Sequence, residues 1–234
     1  MSEHCVHDVS RRQFLTATAI GSIALFLGGP NKLWAFTDAP AVSAEEALNR
    51  LKEGNARFVS GKTQHPHANK DRLIETYTKG QKPFVTMISC ADSRVPVELI
   101  FDQGIGDIFT IRVAGNVVHT DETGSAEYAA GHLGTSLLVV LGHTKCGAVT
   151  AVVKGDKLGG SIPKMVDTIA PAVARSKAKG LTGDALVNDA IIENVKESIN
   201  LLQKSEEIAH LVHEGKLKIM GAMYNLENGR VDWM

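Results

Sequence analysis

Four short apolar runs punctuate the chain: "PFVTMIS" at 83–89, "IFTIRV" at 108–113, "SLLVVLG" at 136–142 and "KIMGAMY" at 218–224. Their length and their β-branched and aromatic content predict strands. Helical spacing lies between and around them. Residues 43–61 carry Ala47, Leu48, Leu51 and Phe58 on one side, starting at Ser43 or Ala44 just ahead of the acidic pair Glu45 and Glu46. Residues 122–132 are a second helical stretch, and 185–202 set Val187, Ile191, Val195, Ile199 and Leu202 on one face. Residues 64–72 read as a polar connection. Residues 155–183 read as a surface excursion holding one more helix, "IPKMVDTIAPAVARSK", which Pro171 is expected to bend or interrupt. Strands separated by helices predict an α/β fold with a mostly parallel, four- to five-stranded sheet flanked by helices. In such sheets, sites form beyond the carboxyl ends of the strands.

The first 41 residues break this pattern. Arg11 and Arg12 precede an apolar run from Phe14 to Leu27, too short for a comfortable bilayer span and diluted by Thr16, Thr18 and Ser22. This has the layout of an export signal, and the paired arginines of "SRRQFL" resemble a bacterial twin-arginine signal, read by that export machinery. Ala35, Ala39 and Ala41 offer cleavage points. An uncleaved anchor and a buried first helix are the competing readings. Export implies a periplasmic protein whose single α/β domain spans residues 42–234. The 234 residues are 44% hydrophobic, enough for one compact core, and 26 acidic against 25 basic residues leave a formal net charge of -1. With no basic surplus, a nucleic-acid partner is not expected.

Two of the strands end in reactive side chains. "MISCADSRVP" at 87–96 runs into Cys90, Asp92 and Arg94, and "VVLGHTKC" at 139–146 runs into His143 and Cys146. Of the three cysteines, Cys5 lies in the signal, so an exported chain keeps Cys90 and Cys146, which could pair as a disulfide. Each thiol alone is more often a buried small hydrophobe. Together with His143 they form a zinc-type donor set, two thiolates and an imidazole, that leaves a fourth position open. Asp92 could be a fourth ligand that closes the site, or could accept a hydrogen bond from a water there. Arg94 could grip the carboxylate and hold it in one orientation.

With "CADSR" at 90–94, "IRVAGN" at 111–116, "EYA" at 127–129 and "HTKCGA" at 143–148, the chain resembles the beta class of carbonic anhydrases from about Ser43 onward. The resemblance implies one Zn²⁺ per subunit on Cys90, His143 and Cys146, an Asp92–Arg94 dyad, and reversible hydration of carbon dioxide to bicarbonate and a proton by a zinc-bound hydroxide. It makes 42–234 the catalytic domain. By match of position it assigns a carbon dioxide pocket to Gln81, Phe109 and Tyr128; Val95 adds apolar surface suited to the substrate. Gln81 is expected to hydrogen-bond an oxygen of the reacting carbon dioxide. Family members are dimers, tetramers or larger, with interfacial active sites, so Gln81 is expected to serve a neighbour's zinc. The apolar fourth strand and the first helix are the expected interface. Met87 stands where some members carry a tryptophan that forms an inhibitory bicarbonate site with an arginine, here Arg112; its absence suggests the plant-like branch. His119 is a proton-shuttle candidate by residue type alone. The rival readings are hydrolysis of carbon disulfide or carbonyl sulfide on the same scaffold, a structural zinc site, and a redox pair of Cys90 with Cys146.

Overall fold

The computed structural model describes residues 42–234; Cys5, the paired arginines, the apolar run and the three alanines of the N-terminal reading lie outside them. Helix α1 (Ala44–Val59) starts where the Ser43 side chain accepts the Glu46 backbone N–H at 3.2 Å, with Glu45 and Glu46 in the first turn, where the helix dipole favours acids. Its Ala47 and Leu51 are fully buried. Helix α2 (Lys70–Lys79), capped by Asn69, occupies the end of the stretch read as a polar connection and buries none of its residues.

Strand β1 (Val85–Ser89) leads through the short helix α3 (Val97–Ile100) to β2 (Ile108–Arg112). Helix α4 (Thr120–Glu127) runs into a wider turn at Tyr128–His132, then β3 (Leu137–His143) and α5 (Gly147–Lys154) follow. The excursion holds α6 (Ile162–Met165) and α7 (Ala170–Ala178). The stretch is interrupted as expected, at 166–169, just ahead of Pro171. The proline sits in the first turn of α7, where a missing N–H costs nothing. The long α8 (Gly183–Leu202), α9 (Glu206–His213), β4 (Lys218–Tyr224) and β5 (Val231–Trp233) complete the order.

The sheet order is β2-β1-β3-β4-β5, parallel except for β5, which pairs antiparallel to β4. The expected α/β class and mostly parallel sheet are therefore observed, with β5 as the fifth strand. Because β4 is paired on both sides, it is interior to the sheet. Successive residues of the central strands point to opposite faces. Met87, Leu137, Val139 and Leu141 pack with Leu51 and Phe101 on one side, and Ile88, Leu138 and Val140 pack with Val195, Leu202 and Ile208 on the other. At the end of β3, a Cβ on Gly142 would stand 2.6 Å from Val195 Cγ2 and 2.9 Å from Met223 Sδ, so glycine lets α8 close on the sheet. Among the described residues, no helix is long and apolar enough to cross a membrane.

Candidate metal centre

Parallel register builds the site. Ser89 of β1 lies opposite Leu141 of β3, so Cys90, one residue on, and His143, two residues on, emerge side by side at the carboxyl ends of neighbouring central strands. The chain then turns through Thr144 and Lys145, the latter at φ 55°, and delivers Cys146 immediately before α5. The donor atoms of Cys90, His143 and Cys146 all lie within 4.8 Å of one another. All three residues are buried, and both thiols are free.

The donors are oriented before any metal arrives. His143 Nδ1 donates to the Thr144 carbonyl at 2.9 Å, so Nε2 is the free nitrogen, and it has no hydrogen-bond partner although fully buried. A buried nitrogen left bare costs about 1–3 kcal/mol. The thiols point the same way. The Cys90 thiol is pushed down to about 4, chiefly by a hydrogen bond from Cys146, with the Gly115 N–H adding to it against burial. Cys146 is pushed up by the Cys90 thiolate and by burial. Burial and mutual repulsion oppose two thiolates side by side, an arrangement that a bound cation would compensate. Two sulfurs and one nitrogen with a bare lone pair fit Zn²⁺.

Asp92 stands beside the donors, outside their cluster. Arg94 donates from Nε to Oδ1 at 2.9 Å and from Nη2 to Oδ2 at 2.8 Å, and its backbone N–H also reaches Oδ1 at 2.9 Å. This fork holds the Asp92 carboxyl far below the usual carboxylate range. Oδ2 lies 3.9 Å from His143 Nε2. The clamped arrangement sets Asp92 as an acceptor next to the donors, with both carboxylate oxygens engaged by Arg94. Arg112 donates to the carbonyls of Cys90 at 3.2 Å and Asp92 at 2.7 Å, tying down the backbone between them.

The remaining expected residues do not gather here. Val95 is fully buried within the core, its N–H donating to the Asp92 carbonyl at 3.0 Å, so it supports the turn from behind and lines no surface of the single chain. Gln81 is exposed and precedes β1, at the opposite end of that strand from Cys90. Phe109 lies opposite Thr86, four residues before Cys90 and therefore roughly 13 Å along the strand. Its ring meets that of Tyr128 at 6.0 Å, and Tyr128 is 40% exposed. Gln81 makes no hydrogen bond to the donors. His119 caps α4 and holds the Met165 carbonyl at 2.9 Å through Nε2, with Asp167 at 3.6 Å.

Asn194 and Ser198 belong to the site's support and were not singled out by the sequence reading. Both are buried on α8 and reach the loop after β2: Asn194 Nδ2 donates to the Gly115 carbonyl at 2.7 Å, and Ser198 Oγ to the Asn116 carbonyl at 2.9 Å. The available signal was their position, three and seven residues after Ile191 on an otherwise apolar stripe.

Comparison with known proteins agrees with this geometry. Residues 85–231 match the family model described as "Carbonic anhydrase". "Carbonic anhydrase 2" of Mycobacterium tuberculosis is 40% identical over 196 residues, spanning 82% of this chain and 93% of that protein. The "Carbonic anhydrase" of Mycolicibacterium smegmatis is 38% identical over 80% of this chain and 91% of its own length. Among solved structures, the β-carbonic anhydrase CafA of Aspergillus fumigatus aligns with TM-score 0.65 and 29% identity, covering 81% of this chain and 89% of that one. The β-carbonic anhydrase CcaA aligns with TM-score 0.63 and 29% identity, over 80% and 98%. A buried Cys–His–Cys donor set with a clamped aspartate, on a chain with these likenesses, leads to one assignment: the chain belongs to the carbonic anhydrase family, in its beta class.

Proposed function

We propose that the protein catalyses the reversible hydration of carbon dioxide to bicarbonate and a proton, with one Zn²⁺ per subunit held by Cys90 Sγ, His143 Nε2 and Cys146 Sγ. The carrying observation is the bare, fully buried His143 Nε2 that shares a 4.8 Å cluster with two thiols, with Arg94-clamped Asp92 beside it. Zinc bound there supplies a Lewis acid that makes water a nucleophile near neutral pH. The chain's own residues aim the attack. Asp92 carries no proton in that range, so Oδ2 can only accept a hydrogen bond; it takes the one donated by the attacking oxygen and leaves a lone pair facing carbon. Arg94 keeps that acceptor from rotating.

Gln81, Phe109 and Tyr128 stand at the far end of β1 and β2 from their own donors, which supports their serving the site of a second copy. There the Gln81 amide donates to an oxygen of carbon dioxide as charge develops on it, while the two rings exclude water. The test is carbon dioxide hydration by the zinc-loaded chain across pH 6–9, with bound zinc measured alongside. Zinc near one per chain without hydration at any pH would remove this reading.

Two finer features belong to the same proposal. The paired arginines and apolar run before residue 42 support twin-arginine export to the periplasm; Arg11→Lys with Arg12→Lys should retain the protein in the cytoplasmic fraction. Met87 at the tryptophan position is fully buried, and Arg112 is committed to backbone carbonyls. Both support the plant-like branch, whose members are active near neutral pH. Activity there should be insensitive to added bicarbonate beyond simple product inhibition.

A further inference from the structure

Cys90 is not left to the metal alone: the Gly115 N–H donates to its Sγ at 3.2 Å. Gly115 sits at φ 75°, ψ 14°, in the left-handed region, and a Cβ there would stand 3.0 Å from Ile169 Cδ1 and 3.1 Å from Ala148 Cβ. Glycine is thus required, yet it is also the residue whose backbone turns most freely. Something must hold its N–H on the sulfur. The other end of the same residue is held by Asn194 Nδ2, which donates to the Gly115 carbonyl at 2.7 Å from a position on α8 that is 1% exposed. A polar side chain on the buried stripe of a helix is costly unless its hydrogen bonds are made there. Ser198, one turn on, makes the parallel bond to the Asn116 carbonyl, and Asn116 itself makes no hydrogen bond to a donor atom of the metal site.

We infer that Asn194 is a positioning residue for the metal centre, acting through Gly115 to keep an N–H on the Cys90 thiolate and so to limit the charge this sulfur donates to the metal. Two thiolates on one zinc place more negative charge on it than a site of neutral ligands would, which weakens its pull on a bound water's proton. An N–H on one sulfur offsets part of that charge. Outer hydrogen bonds of this kind tune both affinity and reactivity of metal sites. The inference deepens the carbonic anhydrase reading and rests on its metal site.

The test uses the whole chain loaded with Co²⁺ in place of zinc, whose thiolate-to-cobalt charge-transfer band reports electron density on sulfur. Asn194→Ala is compared with wild type and with Ser198→Ala, which removes an equally buried bond from the same helix. Asn194→Ala should move the band to longer wavelength, because a sulfur freed of its N–H gives up charge more easily, and should lower zinc affinity about 10-fold in chelator competition. Ser198→Ala should leave the band in place whatever it does to thermal stability. Should Asn194→Ala fail to fold, Asn194→Leu keeps nearly the same volume, loses the donor without adding a charge and carries the same expectation. An unshifted band in the Asn194 variant, or an equal shift in Ser198→Ala, overturns the inference while leaving the metal site standing. A wild-type chain that bound no metal would overturn both.

Discussion

The two ends of the central strands differ in how much of their chemistry one chain completes. At the carboxyl ends of β1 and β3, the donors are buried and oriented by bonds within the chain: Thr144 on His143, Gly115 on Cys90, Arg94 on Asp92. At the amino ends, α2 buries no residue, Leu73, Ile74 and Tyr77 are 56%, 51% and 89% exposed, and Gln81 is exposed, with no hydrogen-bond partner among the described residues. The contrast follows from which groups tolerate water. A bare imidazole nitrogen and paired thiols need a fixed, enclosed geometry before metal arrives, so folding must provide it. Apolar residues three and four apart on one helix face can wait in solvent until a second copy covers them. On the proposed reading the metal half is a product of folding, and the substrate half a product of association.

Removing a donor should break the first half outright. Cys146→Ala should lose zinc, read by metal analysis, and drop carbon dioxide hydration to the uncatalysed background, while the oligomer seen by sedimentation persists because the amino-end surface is untouched. Loss of assembly together with zinc would mean that the two halves are one unit, and the comparison would fail.

Breaking the second half calls for a mixture. Gln81→Ala should keep its zinc and lose about 10²-fold in hydration rate. Combining it with Cys146→Ala by co-expression should then restore activity, since a mixed pair has one intact site: zinc from the Gln81→Ala chain and Gln81 from the other. Random pairing with two-fold symmetry predicts about a quarter of the wild-type rate. No recovery on mixing would show that Gln81 serves its own chain or none. A smaller effect is expected for Asp92→Asn, which keeps the Arg94-facing shape and the zinc but loses the acceptor-only character of the carboxylate. Its rate should fall about 10- to 100-fold at unchanged metal content.

Legibility followed the same division. The four strands were read to within two residues of their bounds because continuous apolar runs have few alternatives, and the three donors were read because strand-end cysteines and histidine have few structural uses together. The three-residue β5, with Asp232 in its middle, carries no run to detect. Helix α2 escaped because periodicity was judged against a core, and Leu73, Ile74 and Tyr77 face none within the chain. The expected interruption of the 162–177 stretch is present, but it falls at 166–169, just ahead of Pro171, because the proline starts α7 instead of breaking it. Val95 was assigned to the pocket by proximity to the motif; the turn after Cys90 carries it into the core. Asn194 and Ser198 were passed over because the α8 stripe was read for its apolar members, and the support of the metal loop lies in its polar ones.

The metal half also depends on how α8 is held, and this gives the smallest test. Beside Asn194, the carboxylate of Glu193 is nearly buried, which alone would raise its pKa; Lys196, Arg175 and Lys179 outweigh that and bring it from 4.5 down to about 2. A carboxyl depressed in the folded state stabilises the fold fully above its unfolded value and stops doing so as pH falls through its folded value. Lys196→Met removes one of the three cations, 3.0 Å from Oε1 and itself half exposed, so the effect is modest: about 2–4 °C in melting temperature near neutral pH. That difference from wild type should shrink between pH 4.5 and about 2 and vanish below it. The Cys146→Ala background is the right one for the measurement, since it carries no zinc to be lost in acid. A difference that stays constant down to pH 2 would assign the effect to the lysine's methylene packing and remove the Glu193–Lys196 pair from the forces that stabilise α8.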